Sequence, residues 1–116
     1  MVMADRLIDT DHLIDHFRGA RRLQADAHDF YSVVTRAELF AGGRADEEEV
    51  RRVLGGFGEL PVDRSVAELG GRVRRDSGLA LGDALIAATA IKYGLALLTR
   101  NTRHFARVAN LELAPP

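Results

Sequence analysis

The chain has 116 residues, a length typical of one domain, because each half alone would be too small to bury a sizeable core. Its 16 basic and 17 acidic residues give a net charge of −1, so overall charge neither favours nor excludes a nucleic-acid partner. The absence of cysteine excludes a disulfide scaffold, a thiolate zinc site and a cysteine nucleophile. No apolar run approaches the roughly 18 residues of a membrane span, and no signal-peptide pattern opens the chain. We therefore expect one cytoplasmic domain over residues 1–116, with no membrane partner.

Short apolar runs alternate with helical patterns in the first part of the chain. Residues 7–8 predict a brief strand, and the apolar spacing of residues 10–17 predicts a short helix. Residues 18–28, which are rich in Arg, Ala and Asp, predict a second, weak helix. The aromatic and β-branched residues 30–34 are typical of a strand. Residues 35–41 predict a helix that ends at a pair of glycines.

The central part of the chain continues the alternation. Residues 46–54 predict a helix that ends at the glycines after it. The segment begins with acidic side chains, which interact favourably with the positive end of a helix dipole. Residues 59–62 predict a short strand, and residues 63–75 predict an amphipathic helix. The clearest helical pattern spans residues 81–93, with an apolar face along its length and a glycine directly after it.

The last part of the chain adds an apolar strand at residues 95–98, a helical turn or two at residues 102–108 and an edge strand at residues 111–113. Strands and helices therefore alternate, and the inner strands are continuous apolar runs. Both features favour an α/β fold in which helices cover both faces of a mostly parallel sheet. Ligands gather at the carboxyl ends of such strands. We therefore expect the functional residues where a strand passes into a helix.

Three carboxylates far apart in the sequence lie at such junctions, namely Asp9, Glu38 and Asp83. Each also has an ordinary structural explanation. Asp9 could cap a helix, residues 35–38 fit the capping-box pattern, and Asp83 could be a first-turn acid. Asp63 also follows a strand and begins a helix, and spacing alone does not exclude it from the group.

As a group, these acids point to a bound cation. Carboxylates gathered at one edge of a sheet repel one another, and burying them together is costly unless a cation compensates. Oxygen ligands in this number suit Mg²⁺ or Mn²⁺ rather than zinc. Such an ion activates water and stabilises charge at an attacked phosphorus, which is the chemistry of phosphodiester hydrolysis. Neither a Ser-His-Asp pattern nor a P-loop signature competes with this interpretation.

Two arginines flank the predicted acidic edge. Arg100 and Arg103 follow the apolar strand at residues 95–98, and a guanidinium group binds phosphate in a bidentate geometry. We therefore expect these two side chains to contact a phosphate-bearing substrate, while composition bias explains most of the other arginines.

Four segments in order resemble the motifs of PIN-domain nucleases. They are residues 7–15 (LIDTDHLID), 32–39 (SVVTRAEL), 83–90 (DALIAATA) and 97–105 (LLTRNTRHF). Any one of them is a weak signal, but the four together cover nearly the whole chain and are specific. The short length is most similar to that of the VapC toxins of bacterial and archaeal toxin–antitoxin pairs.

The resemblance implies a three-layer α/β/α sandwich with a parallel central sheet. It also implies a Mg²⁺- or Mn²⁺-dependent endoribonuclease that a cognate antitoxin holds inactive and that usually forms a homodimer. Carried over by position, Asp9, Glu38 and Asp83 are the expected catalytic and metal-binding acids. Thr99 is an expected accessory residue.

The chain departs from the family pattern at two positions. Asn101 stands where a fourth acid often falls in the family, and Asp11 stands where Asn is common. Asn101 offers an amide oxygen but no charge, so the site is expected to hold either one ion or two, with Asp11 restoring charge if it turns inward. Alternatively, Asn101 could simply cap the helix that follows it.

Three other functions are compatible with parts of the pattern. One is a catalytically inactive PIN-like module that only binds a partner, although the three intact acids argue against it. Another is a DNA nuclease of the same fold. A receiver-like signalling domain would need a lysine at the end of a late strand, whereas Lys92, the only lysine, falls at the end of a helix.

Overall fold

A sheet of four parallel strands forms the centre of the part of the chain that this computed structural model describes, residues 5–17, 29–43 and 45–116. In chain order the elements are β1 (Arg6–Ile8), α1 (Thr10–Phe17), β2 (Asp29–Ser32), α2 (Val33–Gly42), α3 (Glu47–Leu54), β3 (Gly58–Leu60), α4 (Arg64–Ser77), α5 (Leu81–Tyr93), β4 (Ala96–Leu98) and α6 (Thr102–Phe105). The strands lie side by side in the order β3-β2-β1-β4. The predicted α/β class with a parallel sheet is therefore confirmed.

Two apolar clusters cover the two faces of the sheet, because successive side chains of a strand point to opposite sides. Leu7 and Leu97 belong to the cluster that includes residues of α4 and α5. Ile8 and Leu98 belong to the other cluster, which includes residues of α1, α2 and α3. The apolar runs recognised in the sequence are therefore strands buried on both faces, and the molecule is a three-layer α/β/α sandwich.

The register of the central strands sets the position of the residues that follow them. Ile8, the last residue of β1, pairs with Leu98, the last residue of β4. The next residues of the two strands, Asp9 and Thr99, therefore leave the sheet side by side. The predicted convergence of the strand-to-helix junctions thus follows from the strand pairing itself.

The second strand is shorter than the sequence predicted. β2 ends at Ser32, whose hydroxyl oxygen accepts a hydrogen bond from the Val34 amide and so caps α2. The prediction of a strand over residues 30–34 is wrong at its end, and the helix predicted over residues 35–41 begins earlier, at Val33. The side-chain cap outweighs the β propensity of the two valines.

The helices predicted over residues 10–17 and 81–93 are confirmed as α1 and α5. The last predicted helix, over residues 102–108, is shorter, since α6 spans Thr102–Phe105. The predicted edge strand at residues 111–113 is wrong, because only a single bridge joins Leu113 to β4. The weak helix predicted over residues 18–28 lies outside the described residues. None of the helices in the described ranges is long and apolar enough to cross a membrane.

Candidate active site

Asp9 lies at the centre of the carboxyl edge of the sheet, directly after β1. Its backbone amide donates to the Leu98 carbonyl at 2.9 Å, so the residue is fixed by the strand ladder. One carboxylate oxygen, Oδ2, accepts a hydrogen bond of 2.7 Å from the Thr99 hydroxyl, and the other, Oδ1, accepts one of 2.8 Å from the Thr10 amide. The side chain is almost fully buried, with 2% exposure. Neutral donors therefore orient Asp9 without cancelling its charge.

Glu38 reaches the same edge from α2. Its Oε1 accepts a hydrogen bond of 2.7 Å from the hydroxyl of Thr10, and that hydroxyl lies 2.9 Å from the hydroxyl of buried Thr35. The capping-box interpretation of residues 35–38 is wrong, because Ser32 caps the helix and Thr35 lies inside its first turns. The spacing that fits a capping box instead places Thr35 and Glu38 one helical turn apart on the same side of α2.

Asp83 comes from the first turn of α5 and is only partly buried. The start of α5 lies against Glu38, since a Cβ placed on Gly82 would be 3.1 Å from Glu38 Oε2. The helix has no side-chain cap at its beginning. The structure therefore brings the N-terminal turn of α5, with its acid, to the edge that carries Asp9 and Glu38.

The acids of this edge influence one another electrostatically. The pKa of Asp9 is raised to about 7, chiefly by burial and also by the nearby charges of Asp11 and Asp83, against the lowering effect of the hydrogen bonds from Thr99 and Thr10. Burial also raises the pKa of Asp83, and so does the charge of Asp11, while His104 acts in the opposite direction. Three carboxylates therefore share one poorly compensated region.

Asp11 and Asn101 form a direct contact at this edge. The Asn101 side-chain amide donates to Asp11 Oδ2 at 2.7 Å, and the Asn101 backbone amide donates to the Thr99 hydroxyl at 3.0 Å. Asn101 precedes α6 but makes no side-chain capping bond to it. The side chain is thus engaged with the acidic edge rather than with the helix it precedes.

The two flanking arginines differ in their surroundings. Arg100 forms an ion pair of 3.0 Å with Asp15, a nearly buried acid of α1, so its guanidinium connects the loop after β4 to that helix. Arg103 lies on α6 with an exposed side chain. The exposed guanidinium of Arg103 is therefore accessible to a substrate, whereas that of Arg100 is engaged by Asp15.

Asp63, which the sequence left as a possible member of the acidic group, has a structural role instead. It is the N-cap of α4, and its Oδ1 accepts hydrogen bonds from the Val66 amide and the Ser65 hydroxyl, each at 2.9 Å. These donors lower its pKa. Asp63 is therefore a suitable control for the acids of the edge, because it also follows a strand but caps a helix.

The structure adds residues that the sequence interpretation did not assign to the site. Thr10 bonds both Asp9 and Glu38, Thr35 bonds Thr10, and Gly82 leaves room for Glu38. The Thr35–Glu38 spacing was a usable signal, because residues three apart on a helix are neighbours. The contact of Thr35 with Thr10 joins residues 25 positions apart and has no local signal.

The donor set of this edge suits a hard divalent cation. Within the described ranges, no three His, Cys, Asp or Glu side chains are arranged to hold a metal ion by themselves. Mg²⁺ does not require such a cage, because it usually binds one or two carboxylates and keeps several waters. Asp9, Glu38 and Asp83 offer only oxygen ligands. The raised pKa values of the two aspartates come from burial and from neighbouring carboxylate charge, and a bound cation would offset both. The residues present therefore fit Mg²⁺ or Mn²⁺.

Comparison with known proteins agrees with this arrangement. Residues 6–111 match the family model described as "PIN domain". The chain is 40% identical over 123 aligned positions to ribonuclease VapC10 of Mycobacterium tuberculosis, with 95% of this chain and 91% of that protein covered. It is 35% identical over 127 positions to ribonuclease VapC19 of the same organism, covering 96% and 98% of the two chains.

Solved structures show the same architecture. A toxin–antitoxin complex from Klebsiella pneumoniae contains a chain that superposes with a TM-score of 0.76 at 31% identity, covering 91% of this chain and 94% of that one. The DNA-bound VapBC of Salmonella typhimurium superposes with a TM-score of 0.82, covering 97% and 98% of the two chains, although the identity is 21%. The second likeness is one of fold alone.

Proposed function

The chain belongs to the PIN-domain family, and on that premise we propose that it is a metal-dependent endoribonuclease, the toxin of a toxin–antitoxin pair. The observation that carries the proposal is the cluster of acids at the carboxyl edge of the sheet. The charges of Asp11 and Asp83 raise the pKa of Asp9, the charge of Asp11 also raises that of Asp83, and no arginine or lysine in the described residues is ion-paired with Asp9. A polyanionic phosphodiester can approach such a cluster only together with a cation.

The choice of RNA as the substrate is supported by the relatives. VapC10 and VapC19 are both named as ribonucleases, and the alignments cover nearly the whole of this chain. The proposed reaction is hydrolysis of an internal RNA phosphodiester bond. A DNA nuclease of the same fold and an inactive binding module are distinguished from it by the assay below.

We assign Asp9, Glu38 and Asp83 as the residues that hold Mg²⁺ or Mn²⁺, with Asp11, Asn101 and Thr99 as accessory residues. When bound, the cation supplies Lewis acidity toward a phosphate oxygen and compensates the charge of the acids. The number of ions stays open between one and two, since Asp11 adds a carboxylate while Asn101 contributes none.

Each acid has a different proposed role because each is held differently. Asp9 is buried and fixed at both oxygens, so it sets the charge of the site and does not move. Glu38 is exposed and has one oxygen, Oε1, bonded to Thr10, so its Oε2 is the oxygen that would hold the cation. Asp83 is partly exposed in the first turn of α5, which supports a role for it on the side open to substrate.

Substrate contacts are assigned to the basic side chains near this edge. Arg103 is exposed on α6 and is the proposed contact to RNA phosphate. Arg100 was predicted to have the same role, but its ion pair with Asp15 favours a structural contribution. Replacing Arg103 with Gln is expected to raise the KM for RNA, with little effect on kcat.

A cognate antitoxin is the proposed protein partner. The Klebsiella pneumoniae neighbour, at 31% identity over 91% of this chain, comes from a toxin–antitoxin complex. We also propose that the toxin is a homodimer, which light scattering of the purified protein at micromolar concentration tests directly. A monomer under those conditions would contradict the dimer without affecting the enzymatic proposal.

The enzymatic proposal is tested with synthetic RNA and DNA of the same sequence, in Mg²⁺, in Mn²⁺ and in excess chelator. We expect cleavage of RNA only, no cleavage in chelator, and no cleavage by Asp9→Asn or Asp83→Asn. Asp63→Asn is the matched control, because it makes the same change at an acid that caps α4, and it should cleave normally.

Each alternative predicts a different result in this assay. Cleavage of DNA but not RNA would replace the proposed substrate, and binding of RNA without cleavage would support an inactive binding module. Unaltered cleavage by both Asp9→Asn and Asp83→Asn would remove the assigned acids from the reaction.

A further inference from the structure

Two buried threonine hydroxyl groups form a directed chain that ends at Glu38. The hydroxyl of Thr10 donates to Glu38 Oε1 at 2.7 Å. A hydroxyl group has only one proton to donate. In the 2.9 Å contact between the two threonines, Thr35 must therefore be the donor and Thr10 the acceptor. The chain of hydrogen bonds runs from Thr35 through Thr10 to the carboxylate.

Thr10 also contacts the other central acid. Its backbone amide donates to Asp9 Oδ1 at 2.8 Å, while its side chain bonds Glu38. One residue therefore holds a carboxylate from β1 and a carboxylate from α2, and its geometry sets the spacing between them. Thr35, which is completely buried, limits the rotation of the Thr10 hydroxyl by occupying its acceptor side.

The other oxygen of Glu38 lies beside the start of α5. Glu38 Oε2 lies 3.1 Å from the position that a Cβ of residue 82 would occupy, so Gly82 leaves the space that this oxygen uses. A glutamate side chain on an exposed helix surface normally samples several rotamers and loses that freedom only at a cost in entropy. Here the chain of hydrogen bonds from Thr35 through Thr10, which we call the relay, holds one oxygen, and the other lies in the space that Gly82 leaves open.

We propose that Thr10 and Thr35 are positioning residues for the ribonuclease reaction, with Thr35 acting on Glu38 only through Thr10. The expected effect on reaction rate rests on the proposed function. The restriction of the Glu38 side chain does not depend on any activity. Neither threonine touches the reacting phosphate in this role. The relay is expected to lower the entropy cost of holding the Glu38 carboxylate at a fixed position relative to the Asp9 carboxylate.

The test uses substitutions at Thr35 that separate its hydroxyl group from its shape. Thr35→Val removes the hydroxyl and keeps the volume, whereas Thr35→Ser keeps the hydroxyl. Thr89→Val is the matched control, because Thr89 is equally buried and donates its hydroxyl to the Leu85 carbonyl within α5, away from the acids. All three proteins are compared with the unaltered chain by thermal unfolding, steady-state RNA cleavage and NMR.

We expect Thr35→Val to lower kcat by about tenfold, because residues that support the ligands of a metal site typically contribute roughly 10- to 100-fold. The KM for RNA should change by less than about twofold, because Thr35 is buried and does not contact substrate. Thr35→Ser and Thr89→Val should retain normal kcat. A kcat for Thr35→Val equal to that of Thr89→Val would overturn the proposal.

Side-chain NMR order parameters of Glu38, measured without RNA or metal, separate this proposal from the enzymatic one. Glu38 should be ordered in the unaltered protein and in Thr35→Ser, and more mobile in Thr35→Val. If the unaltered protein does not cleave RNA but Glu38 loosens as described, the positioning role stands and the proposed function fails. If RNA is cleaved and Glu38 is equally ordered in all variants, the positioning role fails.

Gly82→Ala provides a second test that does not depend on folding of the Thr35 variants. Alanine favours the helix more than glycine does, so stability should not fall, yet the new Cβ must displace Glu38 Oε2. We expect kcat to fall several-fold. Gly71→Ala is its control, since a Cβ there meets nothing within 4 Å. Equal activity of the two alanine variants would show that the position of Glu38 does not matter.

Discussion

Two aspartates on neighbouring strands are buried to the same extent but lie at opposite edges of the sheet. Asp29, at the start of β2, is 2% exposed and accepts two hydrogen bonds from the Arg6 guanidinium, at 2.9 and 2.8 Å. Asp9, just after β1, is also 2% exposed, but its hydrogen-bond donors are neutral and its charged neighbours are Asp11 and Asp83. The guanidinium of Arg6 therefore neutralises the buried aspartate at one edge, whereas the described residues supply no positively charged partner to the buried aspartate at the other edge.

The difference separates an acid that stabilises the fold from one that we propose serves the reaction. Burying a carboxylate is costly unless a partner compensates its charge. Arg6 compensates Asp29 within the chain, whereas the pKa of Asp9 rises to about 7 because the carboxyl group is buried and lies near the charges of Asp11 and Asp83. The uncompensated edge is therefore less stable than it could be, which is typical of a site that binds a cation and a phosphate.

The largest expected effect comes from removing the charge of Asp9. Asp9→Asn should lower RNA cleavage by more than about 100-fold, since loss of a residue that merely supports a metal ligand already costs about 10- to 100-fold. The metal-free protein should keep its melting temperature or gain stability, because repulsion from Asp11 and Asp83 is relieved. Cleavage rate and thermal unfolding are measured on the same preparation, and a clear loss of stability would contradict the comparison.

Asp29→Asn should show the opposite combination. It removes the buried carboxylate that pairs with the Arg6 guanidinium at 2.8 Å, so the free energy of unfolding is expected to fall by roughly 3 kcal/mol. Urea unfolding measures this change. RNA cleavage per folded molecule should stay normal, because Asp29 lies at the amino edge of the sheet. A fully stable but inactive Asp29→Asn protein would mean that the two edges are not functionally separate.

The pKa of Asp9 predicts a pH effect with a definite sign. The pKa in the folded, metal-free protein is about 7, above the ordinary value of 3.8, so the protonated form is favoured by folding. The contribution of Asp9 to stability is therefore complete below about pH 4 and is lost as the pH rises through 7. Between pH 6 and pH 8 the unaltered protein should lose about 1 to 2 kcal/mol relative to Asp9→Asn. A constant difference in unfolding free energy would contradict the raised pKa.

The smallest predicted effects concern the contact between Asp11 and Asn101. Asn101→Asp adds a carboxylate and should tighten Mg²⁺ binding about tenfold, equivalent to about 1.4 kcal/mol, while Asp11→Asn should weaken it by a similar factor. Because the two side chains are in contact at 2.7 Å, exchanging them in one protein should restore the original affinity. Calorimetric titration with Mg²⁺ compares the four proteins. Indistinguishable curves would place Asn101 outside the site.

The convergence of polar residues at the carboxyl edge was predictable, because apolar strands followed by polar residues are local patterns and the strands were expected to be parallel. The structure confirms it, since pairing of Ile8 with Leu98 brings Asp9 and Thr99 together. The boundaries of α1 and α5 also follow from their apolar spacing.

Features that depend on tertiary contacts were not predictable in the same way. Val33 and Val34 have high β propensity, but the cap from Ser32 starts a helix there. The relay between Thr35 and Thr10 and the ion pair between Arg100 and Asp15 join segments that only the packed sheet brings together. A pattern within one segment carries no information about a hydrogen bond whose partner lies on another element.

The central claim is that the charge of Asp9 is compensated by a divalent cation rather than by the protein. Calorimetric titration with Mg²⁺ at pH 8 and at pH 6, on the unaltered protein and on Asp9→Asn, tests this claim most directly. The pKa of about 7 predicts tighter binding at pH 8 than at pH 6 for the unaltered protein, and greatly weakened binding at both values for Asp9→Asn. Equal Mg²⁺ affinity of the two proteins at both pH values would contradict the claim.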